Sequence, residues 1–184
     1  APADVHEARK ATLAAAEFDG PVYLRVALAK TPVVTTPESP FSIGVAERMA
    51  DRNRGHETTV GLVTTGTLLH SALMAARLLN TEHGIGASVL HVPAVKPLDV
   101  AAIDAFAKEH GRLVTIEEHQ RYGGFGGAVA EYLAEHRPTR VARIGVNDEF
   151  GQSGEPDELL AHYGLDTAGI VRTTRSFLDA TGAE

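Results

Sequence analysis

Glu117, Glu118 and His119 are the residues best placed for chemistry in this chain. They follow Leu113-Val-Thr-Ile116, a β-branched, aliphatic run of the length of a buried strand. They precede Gly123, Gly124, Gly126 and Gly127, a glycine-rich loop that permits close backbone approach. A carboxylate and an imidazole at a strand end could polarise a substrate, or could simply hydrogen-bond their own loop. Adjacent strand residues face opposite sides, so Glu117 and Glu118 make a poor acid–base pair unless the backbone turns there. Arg25 is a further candidate. It sits among apolar residues in Pro21-Val-Tyr-Leu-Arg-Val-Ala27, where a cation either snorkels at a strand end or faces an anion.

Several familiar chemistries are excluded. Gly124-Phe-Gly-Gly-Ala-Val129 is not a dinucleotide fingerprint, because Val129 stands where a Gly or Ala is needed and Glu117 to Tyr122 separate strand from glycines. The glycines instead read as a structural loop for close helix–strand packing or a subunit contact. No H-x-x-x-H or H-E-x-x-H spacing occurs among the 9 histidines, so no protein-built metal site is expected. There is no P-loop, no nucleophile elbow and no cysteine. A net charge of −7 argues against nucleic acid as a partner. No apolar run approaches the roughly 18 residues of a membrane span. With no secretory signal visible, a cytoplasmic location is expected. The chain opens on Ala1 rather than Met, which suggests a fragment, a processed chain or a trimmed one.

The elements that must position these residues follow from periodicity. Asp4 to Phe18 is Ala-rich and helical, with Asp4 as N-cap, Glu7 completing a capping-box pattern and Asp19-Gly20 as its stop. Pro21 to Ala27 reads as a strand. Residues 30–57, rich in Pro and then in charge, read as a linker between domains. From Thr58 the pattern becomes regular. Strands are expected at Val60–Val63, Ala87–Val92, Leu113–Ile116 and Arg140–Val146. Helices are expected from Thr67 (the N-cap) to about Glu82, over Val100–Glu109, Ala128–Glu135 and Pro156–Tyr163, and over Ile170–Asp179. Lys96-Pro97-Leu98-Asp99 is a turn whose Lys96 reads as solvated. This alternation predicts an α/β fold: a three-layer, open, mainly parallel sheet with helices on both faces.

Together these residues resemble a family. Val114-Thr-Ile-Glu-Glu-His119 with Gly123-Gly-Phe-Gly-Gly-Ala-Val-Ala-Glu131 is similar to the C-terminal domain of transketolases and their thiamine-diphosphate relatives. So are Val63-Thr-Thr-Gly-Thr-Leu68, Val95-Lys-Pro-Leu-Asp99 and Val141 to Leu165. The resemblance implies three parts: residues 1–29 as the end of a preceding pyrimidine-binding domain, 30–57 as the linker, and 58–184 as the C-terminal domain.

The implied activity is transfer of a two-carbon ketol unit from a ketose to an aldose. Thiamine diphosphate and a divalent metal would be held in the complete enzyme and not by this chain. The resemblance assigns no catalytic residue here. It implies inactivity alone, with roles in assembly, homo-oligomer contacts and lining of the site. The implied partners are the N-terminal and pyrimidine-binding parts, on the same polypeptide or a separate subunit. Arg25 and His119 are the implied substrate-binding candidates. Glu117, Glu118, Gly123, Gly124, Gly126 and Gly127 are assigned to an interface or structural loop. Relatives carry a second basic residue where this chain has Leu28, which leaves open whether the substrate is phosphorylated. Alternatives are a non-catalytic assembly or dimerisation module, or the C-terminal part of a 2-oxoacid dehydrogenase beta subunit or a deoxyxylulose-phosphate synthase.

Overall fold

A computed structural model describes residues 1–51 and 55–181. Residues 52–54 of the expected linker, and 182–184 at the end of the expected C-terminal domain, lie outside the described residues. Helix α1 spans Val5–Glu17. The sheet is built from β1 (Glu47–Ala50), β2 (Thr58–Thr64), β3 (Ile85–His91), β4 (Arg112–Gln120) and β5 (Arg140–Val146). Helices α2 (Leu69–Glu82), α3 (Val100–His110), α4 (Phe125–His136), α5 (Pro156–His162) and α6 (Thr167–Thr181) complete the fold. The strand order is β1-β3-β2-β4-β5. Strands β2 to β5 are parallel to their neighbours, and β1 runs antiparallel along β3.

The expected three layers are present. Alternation along each central strand feeds two cores. Val60, Leu62, Val89, Val114 and Ile116 pack with α2 and α6 on one face. Val63, Leu90 and Leu113 pack with α3 and α4 on the other. Gly61 lies on this second face, where a Cβ would overlap the Phe106 ring and Leu113.

Most helix stops follow the sequence signals. Gly84, Gly111 and Gly164 each have positive φ just past a helix end. Other expectations need correction. Thr67 is not an N-cap: a short 3-10 turn, Gly66–Leu68, intervenes before α2. Helix α4 starts at Phe125 rather than Ala128, so Gly126 and Gly127 belong to its first turn and not to a loop. Pro21–Ala27 forms no strand, because no other element lies alongside to supply a ladder. Conversely, the polar Glu47–Ala50 run is an edge strand inside the expected linker. Its exposed face tolerates charge, which hid it from a hydrophobic pattern.

The connections place a topological switch between β2 and β4. From β2 the chain crosses by α2 to β3 on one side. It then crosses by α3 back over to β4 on the other. In open α/β sheets the crevice at such a point, outside the carboxyl ends of the strands, is where ligands sit.

The N-terminal helix is tied to this sheet by buried carboxylates. Asp4 caps α1, accepting from His6 N and Glu7 N at 3.1 Å each. It also accepts from Val34 N at 2.7 Å, Thr35 N at 2.5 Å and Thr35 Oγ1 at 2.7 Å. Glu7 departs from the capping box. Its Oε2 accepts from Ala3 N at 2.6 Å and meets His91 Nε2 at the end of β3, 2.9 Å away.

Burial pushes the Asp4 carboxyl up, but the bonds from Thr35, Glu7 and Val34 outweigh it and hold it at about 2. A depressed value means the stabilisation is complete above the ordinary 3.8 and is lost as pH falls toward 2. Asp4→Ala should therefore cost about 2 kcal/mol in urea unfolding at neutral pH. That penalty should shrink as the pH is lowered from about 4 to about 2.

Candidate functional site

Strand β4 carries the site because its last residues leave the regular ladder. It pairs with β5 in register from Arg112 to Ile116, and pairing resumes only at Gln120 opposite Val146. β4 thus advances from Ile116 to Gln120 while β5 advances from Ile144 to Val146. The extra length is a bulge at Glu117, Glu118 and His119, which re-aims their side chains. Glu117 turns inward and is 1% exposed, while Glu118 and His119 are exposed.

The inward carboxylate seats helix α4. Glu117 Oε2 accepts from Phe125 N at 2.6 Å and Oε1 accepts from Gly126 N at 2.8 Å. The N-cap residue of α4, Gly124, has no side chain to offer, so a carboxylate from the preceding strand satisfies these amides instead. This approach dictates the glycines. A Cβ on Gly124 would overlap Glu117 Oε2 and the Gln120 carbonyl; one on Gly126 would overlap Thr115 Oγ1. Burial pushes the Glu117 carboxyl up, against the opposing pull of the Gly126 and Phe125 amides, His119 and Arg143.

The outward residues form a second set of contacts. Glu118 accepts from Thr67 Oγ1 at 2.6 Å, and its backbone carbonyl accepts from Arg25 Nη2 at 2.7 Å. Arg25 is therefore carried by an extended arm rather than a strand, and a backbone oxygen of β4 docks it. His119 Nδ1 lies 3.2 Å from the Gln120 carbonyl. Residues from the arm, the sheet edge and the Gly-rich turn enclose a cavity of about 670 Å³. Arg25, His119, Glu117, Gly123 and Gly124 all line it. Gly126, Gly127 and Glu118 do not.

Thr65 and Lys96 also line this cavity, and sequence reasoning passed over both. Thr65 looked like part of a turn. Its hydroxyl is buried without a partner at the end of β2, which only the topological switch reveals. Lys96 read as a solvated turn residue, and its exposure agrees, but the turn stands at the cavity edge. Glu7 and His91 were hidden because their pairing spans 84 positions in sequence.

The donor set of this edge does not fit a diphosphate with a divalent metal. The Phe125 and Gly126 amides, which could receive a phosphate at a helix N-terminus, already hold Glu117. Among the described residues no three His, Asp or Glu side chains are grouped to hold a metal ion. Nor, among them, is any helix long and apolar enough to cross a membrane.

Comparison with known proteins gives a consistent result. The family described as "Transketolase, C-terminal domain" matches residues 48–170. One of the two subunits of an apulose-4-phosphate transketolase from Phocaeicola vulgatus is 38% identical over 178 residues, covering 96% of this chain and 55% of that protein. The 1-deoxy-D-xylulose-5-phosphate synthase of Methylococcus capsulatus is 39% identical over 186 residues, covering 100% of this chain and 27% of that one. A solved structure of a split-gene transketolase, an inactive β4 tetramer, superposes with a TM-score of 0.89 at 36% identity. It covers 97% of this chain, which spans 56% of it. The chain thus spans about half or less of the length of these relatives.

Gly124→Ala should cost several kcal/mol in chemical unfolding, on the order of 3, because the added methyl displaces the carboxylate that seats α4. Glu117→Gln tests the titration. A raised carboxyl favours the folded state most below the ordinary value of 4.5, and that advantage is lost as pH rises through the folded value. The stability gap between wild type and Glu117→Gln should therefore be widest at low pH and narrow above about 4.5.

Proposed function

Since the chain belongs to the transketolase family through its C-terminal domain, we propose that it is the C-terminal part of an enzyme moving a two-carbon ketol unit from a ketose to an aldose. In this reading residues 1–29 close a preceding pyrimidine-binding domain, 30–57 link, and 58–184 form the C-terminal domain. The remaining parts hold thiamine diphosphate and a divalent metal. That cofactor, when bound, supplies the electron sink for carbon–carbon cleavage. The chain works in the cytoplasm, self-associates and is inactive alone.

One observation carries this reading. The arm at Pro21–Ala27 is extended, yet among the described residues it makes no backbone bond to another element. Its apolar side chains face outward: Tyr23 is 90% exposed, and Leu28 just beyond it is fully exposed. Leaving Tyr, Val and Leu in water forgoes roughly 1.5–3 kcal/mol each. An unpaired extended segment is also a ready template for strand addition. A neighbouring part of the enzyme would satisfy both demands. Asp4 and Glu7 hold α1 on the sheet, so the arm leaves from a fixed base.

Within the assembly, Arg25 and His119 line the substrate side. The Arg25 guanidinium is oriented by the Glu118 carbonyl, and the exposed Glu118 and Gly123 turn toward a neighbouring part. Glu117, Gly124 and Gly126 keep the edge in shape rather than touching substrate.

The purified chain, given thiamine diphosphate, magnesium, a ketose donor and an aldose acceptor, should show no transfer. Adding the remaining parts of the enzyme should restore it. Tyr23→Asp should weaken that association at least tenfold, while the far-ultraviolet dichroism of the chain stays unchanged. Turnover by the chain alone would contradict the proposal. Formation of a deoxyxylulose phosphate from pyruvate, without ketol transfer, would favour the synthase reading that the second relative supports.

A further inference from the structure

The cavity at the switch point has a composition that a polyhydroxylated sugar does not match. Its walls are Phe18, Tyr23, Phe41, Ile43 and Phe125, which leave ring faces and edges as the main contact surface. Its polar groups are few. Thr65 Oγ1 is one buried hydroxyl without a partner. The Glu117 oxygens are already engaged by Phe125 N and Gly126 N. Glu117 is the only acid among the described lining residues; Arg25, Lys96 and His119 are basic and exposed. A basic rim on a chain of net charge −7 is a local reversal of sign.

The magnitudes decide between ligand types. Each sugar hydroxyl taken from water into this space without a partner costs about 1–3 kcal/mol, and Thr65 can serve only one of them. An apolar body instead gains about 25 cal/mol for each Å² it buries. At the rim, Arg25 uses Nη2 on the Glu118 carbonyl, and a guanidinium carries five N–H donors in all. It therefore keeps capacity for an anion, and Lys96 adds a second cation beside it. We propose that this cavity binds an organic anion with an apolar, preferably aromatic, body. The anionic group meets Arg25 and Lys96, and the body packs against Phe125 and its neighbours. The proposal rests on the reading of Arg25 and His119 as ligand-lining residues, and not on ketol transfer.

The test titrates the 184-residue chain with four probes, followed by amide nitrogen–proton correlation spectra. Phenyl phosphate carries both features, glycerol phosphate carries charge with hydroxyls, inorganic phosphate carries charge alone, and benzyl alcohol carries the ring alone. Phenyl phosphate should shift the amides of Thr65, Gly123, Gly124 and Phe125 saturably. It should bind at least tenfold more tightly than each of the other three. Lys96→Gln should weaken phenyl phosphate several-fold and leave benzyl alcohol unchanged. Glycerol phosphate binding as tightly as phenyl phosphate would overturn the proposal in favour of a sugar-like ligand. Equal binding of inorganic phosphate would reduce the site to surface charge and also overturn it, as would shifts confined to other residues. Because ketol transfer is assayed separately, with the remaining enzyme parts, either idea can fail while the other stands.

Discussion

The two bonds from the backbone amides of Phe125 and Gly126 to the carboxylate of Glu117 set the shape of everything around them. A helix start leaves N–H groups unpaired, and the positive end of its dipole favours a negative partner. Here that partner comes from β4 and not from the helix's own cap. The cost of that choice appears in three places. The strand must bulge to bring Glu117 inward. Gly124 and Gly126 must lack side chains. The carboxyl must tolerate burial, which pushes it toward its neutral form. The same bulge turns Glu118 and His119 outward, so one irregularity both seats a helix and presents the polar groups beside the cavity.

A second constraint acts at the other end of the site. Asp4 and Glu7 are buried carboxylates that fasten α1 to the segment at Val34–Thr35 and to His91 on β3. An uncompensated charge in either place would be costly, so each is surrounded by donors. The result is a rigid base from which an apolar, unpaired arm projects. The C-terminal sheet has a complete core on both faces. The arm has none of its own, and this contrast within one chain supports reading it as a part of a larger enzyme.

The sequence revealed the layers more fully than the site. The apolar runs at Val60–Val63 and Leu113–Ile116 announced central parallel strands, because burial on both faces leaves them almost without polar residues. Glycines 84, 111 and 164 announced helix ends, because positive φ has a composition signature. Edge strand β1 was illegible, because one exposed face lets Glu47 and Arg48 into it. Pro21–Ala27 had strand composition but no partner within this chain, so propensity could not become a ladder. At the site, the residue types around Glu117 were visible, yet their roles were not. Sequence spacing gives no sign that Glu117 reaches forward to Gly126, or that Thr67 reaches Glu118. The glycines drew notice as a loop, and their reason lay in the carboxylate they admit.

The extended arm, on this account, is a strand awaiting a sheet supplied by the rest of the enzyme. Hydrogen exchange of the Val22–Ala27 amides, measured on the chain alone and after assembly with the remaining parts, addresses it directly. The expected result is fast exchange in the isolated chain and slowing of at least a hundredfold on assembly, while the β2 and β4 amides are protected in both. Protection of the arm in the isolated chain, or its continued fast exchange in an active assembly, would contradict the account.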